Sequence, residues 1–478
     1  MADYWDVIVV GAGSAGLPAA IFAAERGAKV LQIEADSRIG GTLHWSSGQI
    51  SAAGTSLQKR LGIDDSPAEH YEDAQRIVKG TIDPTLGRLA IDHAAGTFEW
   101  LLSCGFEPEE GTPLHTMGHE PFRTRRYLWG TNAAISILDV IAPVHEKLVA
   151  EGRIDLRLGT KLTGLVQDGA GAVIGVTTEG AAGTETHNAH NVVLASGGYA
   201  ANPELWAELT PGFALRSYCN PFSRGDGIRA ARDLGALVDG GEKYMCTFAG
   251  VLEDAGDPLS TALGLNFAPH LRMPWEIYVN TSGKRFVRED HPSVDHRENA
   301  LLVQDDTKMF VVFDEAIRQN APPINSAEGA ALNDKFGNHP HYSKADTIAG
   351  LAQQMAVDAD ALAGTIARYN VAVNSGVDED FGRETMLRRI ERGPFYAIHA
   401  GGITVLSPAG LNADERLRVT KGDGTPIPGL YAAGEVLGFG RTSGKGFVGG
   451  MSLMPALTFG RLLGESILEW EGARAAAQ

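Results

Sequence analysis

Cysteine is scarce. The 478 residues include three, Cys104, Cys219 and Cys246, too few for a disulfide framework and too far apart for metal-ligand spacing. With no C-x-x-C run, iron–sulfur ligation and haem attachment are excluded from this sequence, and no metal site is expected. The thiols read as buried groups in a reduced, cytoplasmic setting. Long apolar runs are also missing: none reaches the ~18 residues of a membrane span. The short run at residues 7–10 has neither the basic lead nor the cleavage site of a signal peptide. Positive charge is in deficit, with 41 Lys and Arg against 59 Asp and Glu and a formal net charge of −18. Sequence-independent binding to nucleic acid or to an anionic bilayer needs a basic surface, so both are excluded as partners.

Glycine is abundant, 59 residues or about 12% of the chain against a usual ~7%. The glycines fall in G-G and G-x-G clusters, which points to backbone brought close to a ligand. A chain of this length exceeds the ~250–300 residues at which one core stops growing, so two or more units are expected. Near the start, four apolar residues (7–10) read as a buried parallel strand, and Gly11-x-Gly13-x-x-Gly16 follows at once and opens a helix to about residue 26. Gly11 allows a tight turn, Gly13 admits a pyrophosphate, and Gly16 lets helix and strand pack, while Ser14 and Ala15 begin a helix whose free N–H groups face the phosphates. A second strand, "AKVLQIE", ends at Glu34 before Ala35, where a carboxylate takes two ribose hydroxyls. This is an adenosine half-site. A similar run, Gly169-x-Gly171-x-x-x-Gly175, lies between two strand-like segments and reads as a hairpin turn.

At the other end, "IPGLYAAGEVLGFGRTSGKGFVGGMSLMPALTFGRLLGESI" (427–467) carries "GLYAAGEV", which resembles the second FAD fingerprint of the fumarate reductase and 3-ketosteroid Δ1-dehydrogenase superfamily. In that superfamily a strand ends on an acidic residue at the ribityl chain; Gly434 and Glu435 occupy the place. The helix starting near Ser452 and Leu453 resembles the element that faces the flavin O2 and N1. "GGTLHWSSGQISAAGT" (40–55), with Gly41, Thr42, Ser47 and Gly48, resembles the flavin-side loop. "VVLASGGYAANPE", with Ser196, Gly197 and Gly198, resembles the returning strand and turn. "RGDGIRAARDLGA", with Asp226, resembles the G-D-G helix start, and "VNTSGKRFVRED" the substrate-capping domain.

The resemblance implies an α/β fold: a discontinuous, Rossmann-like FAD-binding domain (1–240 and 385–478) with an inserted α+β substrate-capping domain (241–384), and a β-meander at 155–190. It implies non-covalent FAD, with His44 as a polar neighbour of the flavin. No second strand–glycine loop–helix unit is present for NAD(P)H, so an external electron donor or acceptor is implied.

The family exchanges a hydride between flavin N5 and a carbon β to a carbonyl, while a protein group moves a proton at the α-carbon. Aligning "FGR" at 459–461 puts Phe447 where fumarate reductases carry a carboxylate-binding arginine. Phe447 and Met451 then suggest an apolar wall, with the Gly450 N–H toward a ketone oxygen. Candidates for the proton-transfer group are Tyr127, Tyr278, Arg297 and His399; His399 precedes a G-G turn resembling the family's "H-x-x-G-G", and Arg297 lies near the acid arginine of fumarate reductases. The small-molecule substrate expected first is a cyclic ketone or 3-ketosteroid, desaturated at the α,β bond, or the enone in reverse. The alternatives are a carboxylic-acid reductase drawing on Arg285, Arg297 or Arg441, a flavoprotein subunit of an electron-transfer complex, and a redox sensor.

Overall fold

The computed structural model describes residues 4–254, 256–262, 267–324 and 332–475. Its first sheet runs in the order Arg418–Thr420, Pro426–Ala432, Gly183–Leu194, Tyr4–Val10, Val30–Ile33, Ile154–Arg157. All neighbours in it are parallel except the first pair. Residues 7–10 have 4% exposure or less, as an apolar run covered on both sheet faces must. The strands Lys161–Gln167 and Val173–Gly180 join Gly183–Leu194 as an antiparallel meander, so the second glycine run is the expected hairpin.

Helix Gly16–Glu25 follows the first strand, buried on nearly every side. A Cβ on Gly16 would lie 2.0 Å from the Gly11 carbonyl oxygen, so helix and loop meet only because that carbon is absent. A buried polar tie adds to this. Gln32 donates to the Gly11 carbonyl at 3.0 Å and bonds His145 at 2.6 Å, fixing helix Ile135–Ala150 beneath the glycine loop.

The second sheet is wholly antiparallel, in the order Thr261–Ala262, Thr247–Leu252, Phe395–Ile403, Lys308–Asp314, Ile277–Val279, with Tyr342–Ala345 also on Phe395–Ile403. One strand of it lies past the boundary expected at 385. The strand Phe395–Ile403 hydrogen-bonds along seven residues of Lys308–Asp314, so the chain returns to the first sheet only after residue 403. Buried ion pairs brace this part: Arg285 holds both Glu289 and Asp378, and Arg272 holds Glu276.

Candidate active site

A cavity of about 430 Å³ opens where the glycine loop, the segment after Gly183–Leu194 and the start of helix Leu453–Ala475 converge. Gly11, Gly13, Ser14, Ala15, Glu34, Ala35, Gly41, Thr42, Ser47, Ser196, Gly197, Asp226, Gly434, Glu435, Gly450, Ser452 and Leu453 all line it. Three expected members stand behind the wall instead. Gly16 packs on Gly11, Gly48 backs onto Ala133, and Gly198 makes room for an acid, since a Cβ there would lie 2.2 Å from both Glu435 Oε1 and Ser407 Oγ.

The cavity fits FAD. Glu34 is held in place by N–H groups of Ala12 (2.7 Å) and Asp36 (2.8 Å), and burial raises its pKa against those bonds. Glu435 Oε1 accepts the Ser407 N–H at 2.8 Å, and burial likewise raises its pKa. The Ser196 hydroxyl, buried on the cavity wall, has no partner among the described residues. An unpaired buried hydroxyl costs free energy, so it is a donor awaiting a ligand. Gly13 and Gly41 meet backbone to backbone in the cavity wall, where a Cβ on Gly41 would lie 3.2 Å from the Gly13 Cα. Glu34, Ser196 and Glu435, with the loop N–H groups, are thus the residues that would hold the nucleotide.

A second cavity, of about 250 Å³, adjoins the first, and Val405, Leu406, Phe439 and Phe447 line both. Phe248 and Phe267 form its far wall, and Arg297, Glu298 and His119 its polar end. Arg297 and Glu298 come from helix Val294–Leu302, and both are buried. Arg297 donates to the Phe267 carbonyl and lies 5.3 Å from the Phe248 ring centroid. Its Nε has no partner among the described residues, and burial lowers its pKa. Glu298 accepts the Phe248 N–H at 3.1 Å, and burial, partly opposed by His119, pushes its carboxyl up to about 7. His119 stacks on Phe447 with ring centroids 4.0 Å apart and bonds Asp295 at 3.3 Å. Burial works against the charged ring, yet the Asp295 bond and the nearby Glu298 prevail and raise its pKa.

Of the catalytic candidates, the second cavity brings in Arg297 and the first Gly450. Three lie elsewhere. His399 sits within a strand, not a loop, and its Nε2 bonds Ser343 Oγ at 2.8 Å on the sheet face; burial lowers its pKa to about 4. Tyr278 packs behind Phe248 and Phe267, at 5.4 and 5.6 Å between centroids. Tyr127 supports the turn below Gly449, where a Cβ would lie 2.9 Å from its ring. Met451 is buried and lines neither cavity, and His44 is tied to the Ile39 carbonyl at 2.9 Å, outside the cofactor cavity. Arg285 is held by its acids, Arg441 by Asp83 and Asp239. Burial keeps all three cysteine thiols above their usual pKa, Cys219 up to about 12.

Sequence reasoning found Phe447 but missed His119, Glu298 and the rest of the aromatic wall, Phe248, Phe267 and Phe439, together with Tyr218, Asn220 and Ser223 of the cofactor cavity. No motif marks them. The one available signal was Glu298 itself, an acid beside a candidate arginine on a short helix.

A family model described as FAD binding domain matches residues 6–449. The chain is 32% identical over 474 residues to the fumarate reductase (cytochrome) of Shewanella frigidimarina, covering 98% of this chain and 78% of that one. It is 31% identical over 471 residues to the urocanate reductase of Eggerthella lenta, covering 96% and 74%. Among solved structures, the open conformation of a flavocytochrome c3 fumarate reductase aligns with a TM-score of 0.73 and 27% identity, over 97% of this chain and 78% of that one. The 3-ketosteroid Δ1-dehydrogenase of Sterolibacterium denitrificans shares the fold, with a TM-score of 0.76 and 22% identity, over 98% and 100%. Two motifs, the cavity between them and these likenesses agree: the chain belongs to the FAD binding domain family that the fumarate reductases share, and it is an FAD-dependent oxidoreductase.

Proposed function

We propose that this enzyme reduces the carbon–carbon double bond of an α,β-unsaturated acid with a single carboxylate and an apolar, ring-sized body, using Arg297 as the proton donor. The observation that carries the reading is a cavity with one arginine at its polar end and Phe248, Phe267, Phe439 and Phe447 around the rest. Relatives named as fumarate and urocanate reductases support an unsaturated acid over the ketone expected first.

Reduced FAD, when bound, supplies the hydride. The protein must then neutralise one carboxylate and deliver one proton. Burying a carboxylate costs several kcal/mol per ion even after relaxation, so each needs a cation. Arg297 is the arginine available, and its charge stabilises the enolate-like transition state. Burial also weakens its hold on the proton, which suits it as an acid. The phenylalanines exclude water and hold the apolar body. A dicarboxylate would put its second charge against Phe447.

Holoenzyme reduced by an artificial donor should turn over cinnamate, and Arg297→Ala should lower that turnover at least 100-fold, the lower bound typical of a lost general acid. Retained turnover in Arg297→Ala would refute the assignment. A second reading, reduction of a neutral enone, is favoured by Phe447 and by relatives named as a digoxin reductase and a vinyl phenol reductase, and preference for a cyclic enone over cinnamate would establish it.

A further inference from the structure

Phe447 stands where a carboxylate-binding arginine is expected, yet a ring that can carry positive charge lies on its face. His119 stacks there with ring centroids 4.0 Å apart and an interplanar angle of 29°. Among the described residues lining the second cavity, His119 and Arg297 are the two that can be cations. Asp295 occupies Nδ1 of His119 at 3.3 Å, while its Nε2 has no hydrogen-bond partner among the described residues. The loop at 115–122 that carries the ring is pinned to helix Val294–Leu302. Asp295 takes the Glu120 N–H at 2.7 Å, Ser293 Oγ donates to Glu120 Oε1 at 2.9 Å, and the Val294 N–H donates to the Gly118 carbonyl at 2.7 Å. The ring is therefore oriented before any ligand arrives, by Phe447 on one face and Asp295 at one nitrogen.

We propose that His119 is the second donor to the substrate carboxylate, its Nε2–H holding one oxygen while Arg297 holds the other. The cation missing at position 447 is then supplied across space, by the ring stacked on Phe447. The proposal rests on the reading of the substrate as an unsaturated acid, and it names the residue that selects the acid. No covalent bond forms or breaks at His119 in this role.

Two arguments favour it. Arg297 already spends one nitrogen on the Phe267 carbonyl, whereas a buried carboxylate presents two oxygens, each of which needs a donor. Charge then limits the cavity to one such group. Arg297 and a protonated His119 bring two positive charges and the Asp295 carboxylate removes one, so a single substrate carboxylate closes the balance and a second would be buried uncompensated. Glu298 also faces the ring, but its carboxyl, pushed up to about 7 by burial, turns neutral when an anion settles beside it. His270 faces the ring as well and is kept neutral by burial. Burial opposes a charge on His119 itself, and Asp295 with Glu298 overcomes it. With Nδ1–H given to Asp295, a neutral ring offers only a lone pair at Nε2. Affinity for the acid should accordingly fall as pH rises through the pKa of the ring.

The test measures binding rather than turnover. The saturated acid 3-phenylpropanoate and its neutral amide, 3-phenylpropanamide, are titrated into oxidised holoenzyme by calorimetry, with flavin absorbance as the check on cofactor occupancy. His119→Phe keeps a ring on Phe447 and removes the donor. It should weaken binding of the acid at least tenfold more than binding of the amide, the loss expected of one charged hydrogen bond, and His119→Arg should recover part of that loss. By NMR of the parent, the His119 ring should titrate at higher pH with the acid bound than with the amide; should His119→Phe lose its flavin, this measurement decides. Equal affinity of the parent and His119→Phe for the acid, or a ring whose titration the acid leaves in place, would overturn the proposal and leave the acid reading standing. Failure of that reading looks different: the parent itself would not bind the acid, and the role of His119 would fall with it.

Discussion

Glu34 receives N–H groups on both of its oxygens and still faces the cavity, so its carboxylate is oriented before any ribose arrives. Charged hydrogen bonds of this kind are worth about 1.5–3 kcal/mol each. Glu34→Ala should therefore lose FAD on gel filtration under conditions where the parent keeps it, read from the 450 nm to 280 nm absorbance ratio. Equal ratios would remove Glu34 from the site. At Gly198 one methyl group decides the matter, because Gly198→Ala would press on Glu435 and Ser407 together; it should deplete flavin to a similar degree. His44, tied to a main-chain carbonyl, is badly placed for covalent attachment. Acid precipitation should leave FAD in the supernatant, and a yellow pellet would contradict that.

At the scale of elements, the strand–glycine loop–helix at residues 4–25 was legible because each glycine answers a local demand: a turn at Gly11, an open cavity wall at Gly13, close packing on the loop at Gly16. The hairpin at 169–175 was legible for a different reason, since its turn puts Gly171 at a positive φ of 82° between two strand-like runs. His399 was not, since "H-x-G-G" has one appearance in a loop and in a strand, and only the partners Lys308–Asp314 and Tyr342–Ala345 decide which. Phe447 shows a motif read correctly in kind but incompletely. Its apolar character was evident, while the His119 ring stacked on it comes from a loop more than three hundred residues away. Phe447→Arg would place a cation against that ring. It should cut turnover of an aryl-substituted acid at least tenfold, about 1.4 kcal/mol in the barrier, without giving efficient fumarate reduction. Fast fumarate turnover in that variant would mean that a second clamp group already stands in the cavity.

For the whole molecule, buried neutral histidines set the acid limit of stability. Burial lowers His145 and His399 to about 4, and holds His70 well below the usual histidine range. The unfolded chain binds protons at these rings below about pH 6.5 while the folded chain does not, so stability falls as pH drops from there toward 4. Glu298 works the other way: its carboxyl is raised to about 7, so the stability it contributes is lost as pH rises from the ordinary carboxylate range to about 7. With His187, His270, His296 and His341 lowered too, the depressed rings outnumber Glu34, Glu298, Glu435 and His119, which shift upward, so Tm should be lower at pH 5 than at pH 7, and His399→Gln should flatten that slope; an unchanged slope would show that His399 titrates normally. The two-cavity arrangement explains why the cofactor half was readable and the substrate half was not. Motifs of contiguous residues build the first cavity, while the second collects His119, Phe248, Phe267, Arg297 and Phe447 from five separate segments. The account's central claim concerns what that second cavity accepts, and anaerobic stopped-flow reoxidation of the reduced flavin tests it most directly. Cinnamate should reoxidise the flavin at least tenfold faster than fumarate; fumarate reacting faster, or a saturated cyclic ketone reducing the oxidised enzyme faster than cinnamate reoxidises the reduced one, would contradict it.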